Sequence, residues 1–376
     1  MIRLDNLTKT FATDRGTVMA VDHVNLEVPE GEICILLGPS GCGKTTTLKM
    51  VNRLIMPTSG KIYIDDKDTD EYDPVQLRRN IGYVIQQIGL FPNMTIEENI
   101  SLVPDLLGWE KERARKRAHE LLEMVALDPD TFLRRYPSEL SGGQQQRVGV
   151  IRALAADAPV MLMDEPFGAI DPINREIIQD EFLKMQSEIR KTIMFVSHDI
   201  DEAVKMGDKV AIFREGRLEQ YASPDDLLAN PVNEFVADFV GSDRTLKRLR
   251  LARVEDAMMP SAPTVGQDDT LERAKGLILD SGQRAVVMTD RRGRPKGYID
   301  LNQAESGIGK VAESYSPLVG TVRLSDDLRT AVSQMFTYNV DWLAVVDGEG
   351  RFRGYVTQHG ITQLLGETYV REPEEA

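Results

Sequence analysis

Cysteine is nearly absent. Cys34 and Cys42 are the only two in 376 residues, one in a predicted buried strand and one in a glycine-rich loop, which excludes a disulfide framework and a zinc site. Long apolar runs are missing too. Nothing approaches the roughly 18 consecutive apolar residues of a membrane span, and the best candidate, residues 33–37, has the length of a buried strand. Nor is there an excess of positive charge: 45 Lys and Arg stand against 60 Asp and Glu, a formal charge of −15. Neutralising phosphates needs a basic surface, so sequence-independent binding of DNA or RNA is excluded. Residues 1–5 lead straight into a strand-like pattern with no apolar signal core, and the chain is expected to stay in the cytosol.

A chain this long exceeds one ordinary core and divides into two or three domains of about 100 to 200 residues. Residues 1–240 alternate β-branched strands with helical stretches, as an α/β domain does. The apolar run 33–37 ends in glycine and reads as a parallel strand covered on both faces, followed by a helix over 45–54. Residues 160–163 and 192–196 repeat the strand pattern and end in polar residues, where an open α/β sheet places its chemistry. Residues 97–155 turn charged and helical, with 111–125 amphipathic, and read as an inserted helical subdomain. Five basic residues, Arg244, Lys247, Arg248, Arg250 and Arg253, follow Gly241 and Ser242; residues 241–252 are expected to be a linker or short helix.

An internal repeat comes next. Asp269-Thr270-Leu271 recurs as Asp326-Asp327-Leu328, Asp290 as Asp347, Gly293 as Gly350, and Gly297-Tyr298-Ile299 as Gly354-Tyr355-Val356, always 57 residues apart. Each unit, 253–311 and 312–370, reads strand, helix, strand, turn, strand, and two such units can bury a face that neither buries alone. Residues 371–376 read as a frayed acidic tail.

Gly38-Pro39-Ser40-Gly41-Cys42-Gly43-Lys44-Thr45 fits the Walker A pattern GxxxxGK[ST] between a predicted strand and helix, the context its mechanism requires. The glycines let backbone N–H groups turn in around the phosphates of ATP. The helix N-terminus adds positive dipole, Lys44 reaches the β and γ oxygens, the Thr45 hydroxyl takes a Mg²⁺ position, and Thr46 supplies a further phosphate contact. Asp164 follows four apolar residues and emerges at a strand end, where its carboxylate can hold the metal; Glu165, next along, can polarise the attacking water as general base. On its own such a pair also fits a helix cap or a solvated loop. His198 closes the strand 192–196 after Ser197 and can donate to the γ-phosphate or fix the water, or it can be a capping imidazole. Gln86, after Gly82-Tyr83-Val84-Ile85, can place an amide on Mg²⁺ or on the water. The most discriminating element is Leu140-Ser141-Gly142-Gly143-Gln144, a second glycine-rich, phosphate-grade turn ahead of the acidic strand, which few P-loop machines carry.

With Walker A at 38–45, a glutamine at Gln86, the signature 140–144, Walker B at 160–165, Ala169-Ile170-Asp171 as a D-loop and His198 as a switch histidine, residues 1–240 resemble the ATPase subunits of ABC transporters. The resemblance implies a P-loop NTPase fold of the ABC type with an inserted helical subdomain, and a head-to-tail homodimer in which Ser141, Gly142, Gly143 and Gln144 complete the ATP site of the second copy. It places Phe11 where the family keeps an adenine-stacking aromatic, although a core strand residue fits as well. Residues 86–99, with Leu90-Phe91-Pro92-Asn93-Met94-Thr95, resemble the surface that seats a permease subunit; core packing of Leu90 and Phe91 is the alternative.

Residues 253–365 resemble a tandem CBS (α+β) module, and an ABC ATPase followed by such a pair looks like the osmoprotectant importers for glycine betaine, carnitine, choline or proline betaine. The implied partners are transmembrane permease subunits, on which the chain would sit peripherally at the cytoplasmic face of the inner membrane, and, through them, an extracytoplasmic substrate-binding protein. An importer of another small solute such as an amino acid, with a purely structural CBS pair, stays open. Nucleotide-binding CBS modules carry Thr or Ser followed three residues later by Asp. Here Asp300 precedes Gln303 and Thr357 precedes Gly360, so the ribose-binding Asp is missing twice. Some relatives bind cyclic di-AMP, for which Tyr298, Tyr355 and the backbone at Val340 are the candidate contacts. Residues 244–253 with Arg291, Arg292, Arg294 and Lys296 fit either an ionic-strength sensor facing an anionic membrane or a solvated face.

Overall fold

The computed structural model describes residues 1–14, 16–85, 89–168, 170–260, 262–305 and 308–367. Its contacts form two compact units, one of residues 1–227 and 231–241, the other of residues 228–230 and 242 onward.

In the first unit, Ile33–Leu37 is buried along its whole length, as are Val160–Asp164 and Thr192–Val196. That burial explains their continuous apolar sequence, since a parallel sheet is covered on both faces. The six-stranded sheet runs in the order Arg217–Ala222, Lys209–Arg214, Ile33–Leu37, Thr192–Val196, Val160–Asp164, Ile81–Val84. All neighbours are parallel except the first pair. The carboxyl ends of the parallel strands therefore face one edge, where Gly38, Asp164 and Ser197 emerge.

A four-stranded antiparallel sheet, ordered Gly16–Val28, Ile2–Thr13, Ser59–Ile64, Lys67–Asp68, shares its core with the large sheet and the helix Lys44–Val51 through Leu4, Val24, Leu36, Leu48 and Phe213. The helical block holds Ile96–Leu106, Lys111–Met124 and Gly142–Leu154. Lys111–Met124 buries Ala114, Ala118, Leu121 and Leu122, the i, i+4, i+7, i+8 stripe of an amphipathic helix.

The second unit holds two four-stranded sheets that realise the 57-residue repeat. One is ordered Met258–Pro260, Phe352–Thr357, Trp342–Val346, Thr321–Arg323; the other Ser316–Pro317, Pro295–Asp300, Ala285–Thr289, Thr264–Gly266. The opening strand of each repeat thus joins the sheet of the other, and the sequence boundary near 311 does not separate the two sheets. The repeat pattern also missed the four-residue helices Val254–Ala257 and Val311–Ser314, which are too short for an amphipathic period to register. Val254 and Ala257 pack with Val322, Leu328 and Val356, and Val311 with Val265, Leu271 and Ile299. There are two cores, each completed by the other repeat, and the two sheets also meet through Tyr298 and Trp342.

The repeated glycines follow from this crossing. A Cβ on Gly354 would lie 2.2 Å from the Met259 carbonyl oxygen, and one on Gly297 would lie 2.5 Å from that of Ser316. Gly354→Ala is expected to destabilise the second unit by about 3 kcal/mol, because backbone and not a flexible side chain must give way. Gly348→Ala, where nothing lies within 4 Å, is the control. Urea denaturation of the full chain reads both, and equal midpoints would mean that the strands do not cross here.

Residues 244–253 are not a solvated basic run. Arg244–Arg248 is helical, Arg248 is 4% exposed and donates to the Leu365 carbonyl at 3.3 Å, and Leu249 joins the core of the second unit. Of the five cations only Arg253 is fully exposed. Leu249, Ala252 and Val254, interleaved with them, draw the stretch inward, and long cationic stems tolerate that.

Candidate active site

The strand Ile33–Leu37 delivers the Walker A loop into the sheet edge, and its own chain dictates two of the glycines. Gly38 has φ +142° and its Cβ would sit 2.2 Å from the Phe213 carbonyl; Gly43, at φ +104°, would meet the Ala20 carbonyl at 2.3 Å. Gly43 is also the N-cap of Lys44–Val51. Lys44 is buried, its Nζ donating to the carbonyls of Gly38 at 2.7 Å and Pro39 at 2.9 Å. The ammonium is thus stored inside the loop it serves. Cys42 is buried, Pro39, Ser40 and Gly41 are exposed, and Thr46 is half-buried.

Thr45 and Asp164, 119 residues apart, meet directly: the Thr45 hydroxyl donates to Asp164 Oδ1 at 2.9 Å. Asp164 is 3% exposed, and burial raises its carboxyl above the usual range, partly offset by the Thr45 hydrogen bond and by Lys49 and Lys44. A cation among these oxygens would reverse the penalty, so the pair fits a hard divalent ion.

Glu165 follows in the left-handed region at φ +49°, a conformation uncommon for non-glycine residues. Its N–H donates to the Val196 carbonyl. The Glu165 carboxylate lies 3.6 Å from His198 Nδ1, so the two residues expected to act on the attacking water stand together. Gln86 lies outside the described residues, as do Ala169 and the tail 371–376.

The signature opens a helix. Ser141 caps Gly142–Leu154, its Oγ accepting from Gln144 N while Gln144 Oε1 accepts from Ser141 N, a reciprocal capping box. Unlike Gly38 and Gly43, Gly142 and Gly143 would meet nothing within 4 Å if each carried a Cβ. Their own chain does not require them to be glycine. Asp171 caps Pro172–Ile189 through Asn174, whose hydrogen bonds hold its carboxyl below the usual range.

Phe11 is 38% exposed with Lys9 Nζ 5.0 Å from its ring centre, and is not a core residue. Phe91 is 44% exposed. The loop that presents it is held by fully buried Asn99, whose Nδ2 donates to the carbonyls of Phe91, Met94 and Thr95 while its Oδ1 accepts from Phe91 N. Sequence reasoning missed Asn99, and also Gln146, which is buried and donates to the Pro166 carbonyl at 2.6 Å, tying the signature helix to the loop after Glu165. A polar residue at an apolar position of a helical period is the signal that could have found both.

In the second unit, Tyr298 and Tyr355 each meet Trp342 edge to face, at 5.4 and 6.0 Å. A cavity of about 430 Å³ opens beside Trp342 and Tyr355, lined also by Met259, Arg284, Thr357 and His359. The side chain of Val340 packs against the core instead, and its carbonyl accepts from Gln358. Asp300 and Thr357 each accept from the backbone N–H three residues on, of Gln303 and Gly360. Arg291, Arg292, Arg294 and Lys296 are exposed.

Residues 21–168 match the ABC transporter family, and residues 254–303 and 314–367 the CBS domain. The chain is 56% identical over 367 residues to an osmoprotectant import ATP-binding protein of Salmonella typhimurium, covering 97% of this chain and 96% of that one. It is 45% identical, with the same coverage, to a glycine betaine/carnitine/choline transport ATP-binding protein of Bacillus subtilis. Among solved structures, a dimeric post-hydrolysis state of the ATP-binding cassette MJ0796 bound to ADP and Pi superposes with a TM-score of 0.56 at 38% identity, over 60% of this chain and 99% of that one. The chain therefore belongs to the osmoprotectant-import ATP-binding proteins of the ABC transporter family, an ATP-hydrolysing cassette with paired CBS domains after it.

Proposed function

We propose that this chain energises import of small quaternary ammonium osmoprotectants of the glycine betaine, carnitine and choline class. It does so as a homodimer on the cytoplasmic face of the inner membrane, beneath permease subunits that receive solute from an extracytoplasmic binding protein. The observation that carries the dimer is the bare face of Gly142 and Gly143: glycine that no atom of its own chain requires leaves room for the phosphates of ATP held by a second copy, opposite the N-terminus of a helix. Thr45 and Asp164 would hold Mg²⁺, with Gln86 as a further ligand. Bound there, the ion would neutralise phosphate charge. Exposed Phe91 on its pinned loop supports a permease contact.

The CBS pair regulates this activity in our reading. Its exposed cations at 291–296 support a response to ionic strength, and the aromatic-lined cavity at Tyr355 supports a small ligand such as a cyclic dinucleotide. The test is uptake of radiolabelled glycine betaine in cells lacking the chain, complemented with the full chain or with a chain ending at residue 252. Uptake should return in both, but only the full chain should restore its dependence on salt. Failure of the full chain to restore uptake overturns the substrate class, and equal salt dependence overturns the regulatory role.

A further inference from the structure

Behind His198 lies a buried polar cluster that none of the sequence motifs includes. Glu202, on the helix Ile200–Met206, is 8% exposed. Its Oε2 accepts from the Ser197 hydroxyl at 2.6 Å and its Oε1 accepts from Gln179 Nε2 at 3.1 Å. Ser197 and Gln179 are 1% and 5% exposed. The Ser197 oxygen in turn accepts from Asp199 N at 3.0 Å, so Glu202 and Ser197 together bracket His198 from both sides. Gln179 belongs to the helix Pro172–Ile189, which begins at Asp171. A parallel link runs through Arg175 of that helix, whose Nη1 lies 3.9 Å from Asp199 Oδ2 and whose Nη2 donates to the Ile170 carbonyl.

The imidazole of His198 is 67% exposed and stands 3.6 Å from Glu165, beyond hydrogen-bond reach. Its direction is therefore set by the backbone on either side, and that backbone is set by Ser197, which also donates its N–H to the Leu36 carbonyl. The two hydrogen-bond partners of the Glu202 carboxylate are neutral, a hydroxyl and an amide. Burial raises its pKa, opposed by the Ser197 hydrogen bond and by Arg175 and His198 and reinforced by Asp199. An apolar side chain in its place would take this acceptor from the buried Ser197 hydroxyl and Gln179 amide, so what the carboxylate provides is the link between them.

We infer that Glu202 is a positioning residue for ATP hydrolysis, one carboxylate oxygen holding the turn that presents His198 and the other holding the helix that starts at Asp171. It does not touch substrate; it makes the two segments move as one body.

Steady-state hydrolysis by the full chain tests this. Glu202→Ala is expected to lower kcat about tenfold with KM for ATP within twofold, the pattern of a lost transition-state arrangement rather than lost binding. Glu202→Gln, which still accepts from Gln179 and can donate to the Ser197 oxygen, should recover at least half of wild-type kcat. Gln179→Ala should cost about threefold, and the double variant with Glu202→Ala no more than Glu202→Ala alone, because both remove one linkage. With four histidines in the chain, imidazole NMR gives a direct readout: the His198 signal should shift in Glu202→Ala while those of His23, His119 and His359 stay. A kcat within twofold of wild type, losses that multiply in the double variant, or an unmoved His198 signal would each overturn the assignment. Should Glu202→Ala not fold, the cycle of Gln179→Ala with Ser197→Ala carries the same test, and multiplicative losses there overturn it equally.

Discussion

Glu165→Gln is expected to reduce steady-state ATP hydrolysis about a thousandfold, the range a positioned general base contributes, while ATP binding survives. The change keeps the shape of the side chain but removes its ability to take a proton. It leaves untouched the Thr45–Asp164 pair and the Lys44 cradle, which bind and do not abstract. The backbone turn at Glu165, with φ +49° and its N–H on Val196, is formed by main-chain atoms and persists in the variant. Phosphate release measures the loss. Gel filtration with ATP should show the variant accumulating as a dimer, because the glue between copies is no longer cleaved. Retention of more than a tenth of wild-type turnover would show that another group activates the water.

Gly143→Asp should separate folding from function just as sharply. A side chain at Gly143 meets nothing within 4 Å. An acidic residue in the first turn of Gly142–Leu154 interacts favourably with the helix dipole, by about 0.3–1 kcal/mol. Thermal denaturation should therefore give an unchanged or slightly raised midpoint. Hydrolysis should fall at least about a hundredfold, because in the proposed homodimer the new carboxylate would face the γ-phosphate held by the second copy and repel it where a preorganised donor should stabilise it. Gly38→Ala makes the opposite comparison: its Cβ collides with the Phe213 carbonyl within the same chain, and both stability and activity should go. A Gly143→Asp protein with normal turnover would place the signature in solvent.

The parts of the site that were legible in the sequence are those whose chemistry is written locally. A glycine pattern between an apolar run and a helix fixes a phosphate cradle, and two acids at the end of a buried strand fix their own height above the sheet. Thr45, in the first turn of Lys44–Val51, and Asp164 meet at the carboxyl edge of the sheet although the strand Thr192–Val196 lies between the strands that lead to them. Asn99, Gln146 and Glu202 were missed for one shared reason: each is a polar residue on the buried side of its helix, a departure from the helical period that shows in the sequence while its partners come only from the tertiary packing. The basic stretch at 244–253 misled in the same way, since charge suggests solvent and the interleaved Leu249 and Val254 decided otherwise. In the second unit the 57-residue period was plain, but strands of two and three residues, Ser316–Pro317 and Met258–Pro260, are shorter than any alternation that could reveal which sheet they join.

Those two short strands also set an order of events during synthesis. The segment Met258–Pro260 leaves the ribosome early, yet its hydrogen-bonding partner Phe352–Thr357 comes from the far end of the chain, and elongation proceeds at about 5–20 residues per second. Met258–Pro260 and the helix Val254–Ala257 must therefore wait several seconds for the second repeat, whereas the core of the first repeat, from Val265 to Val311, can close as soon as Ser316–Pro317 has emerged.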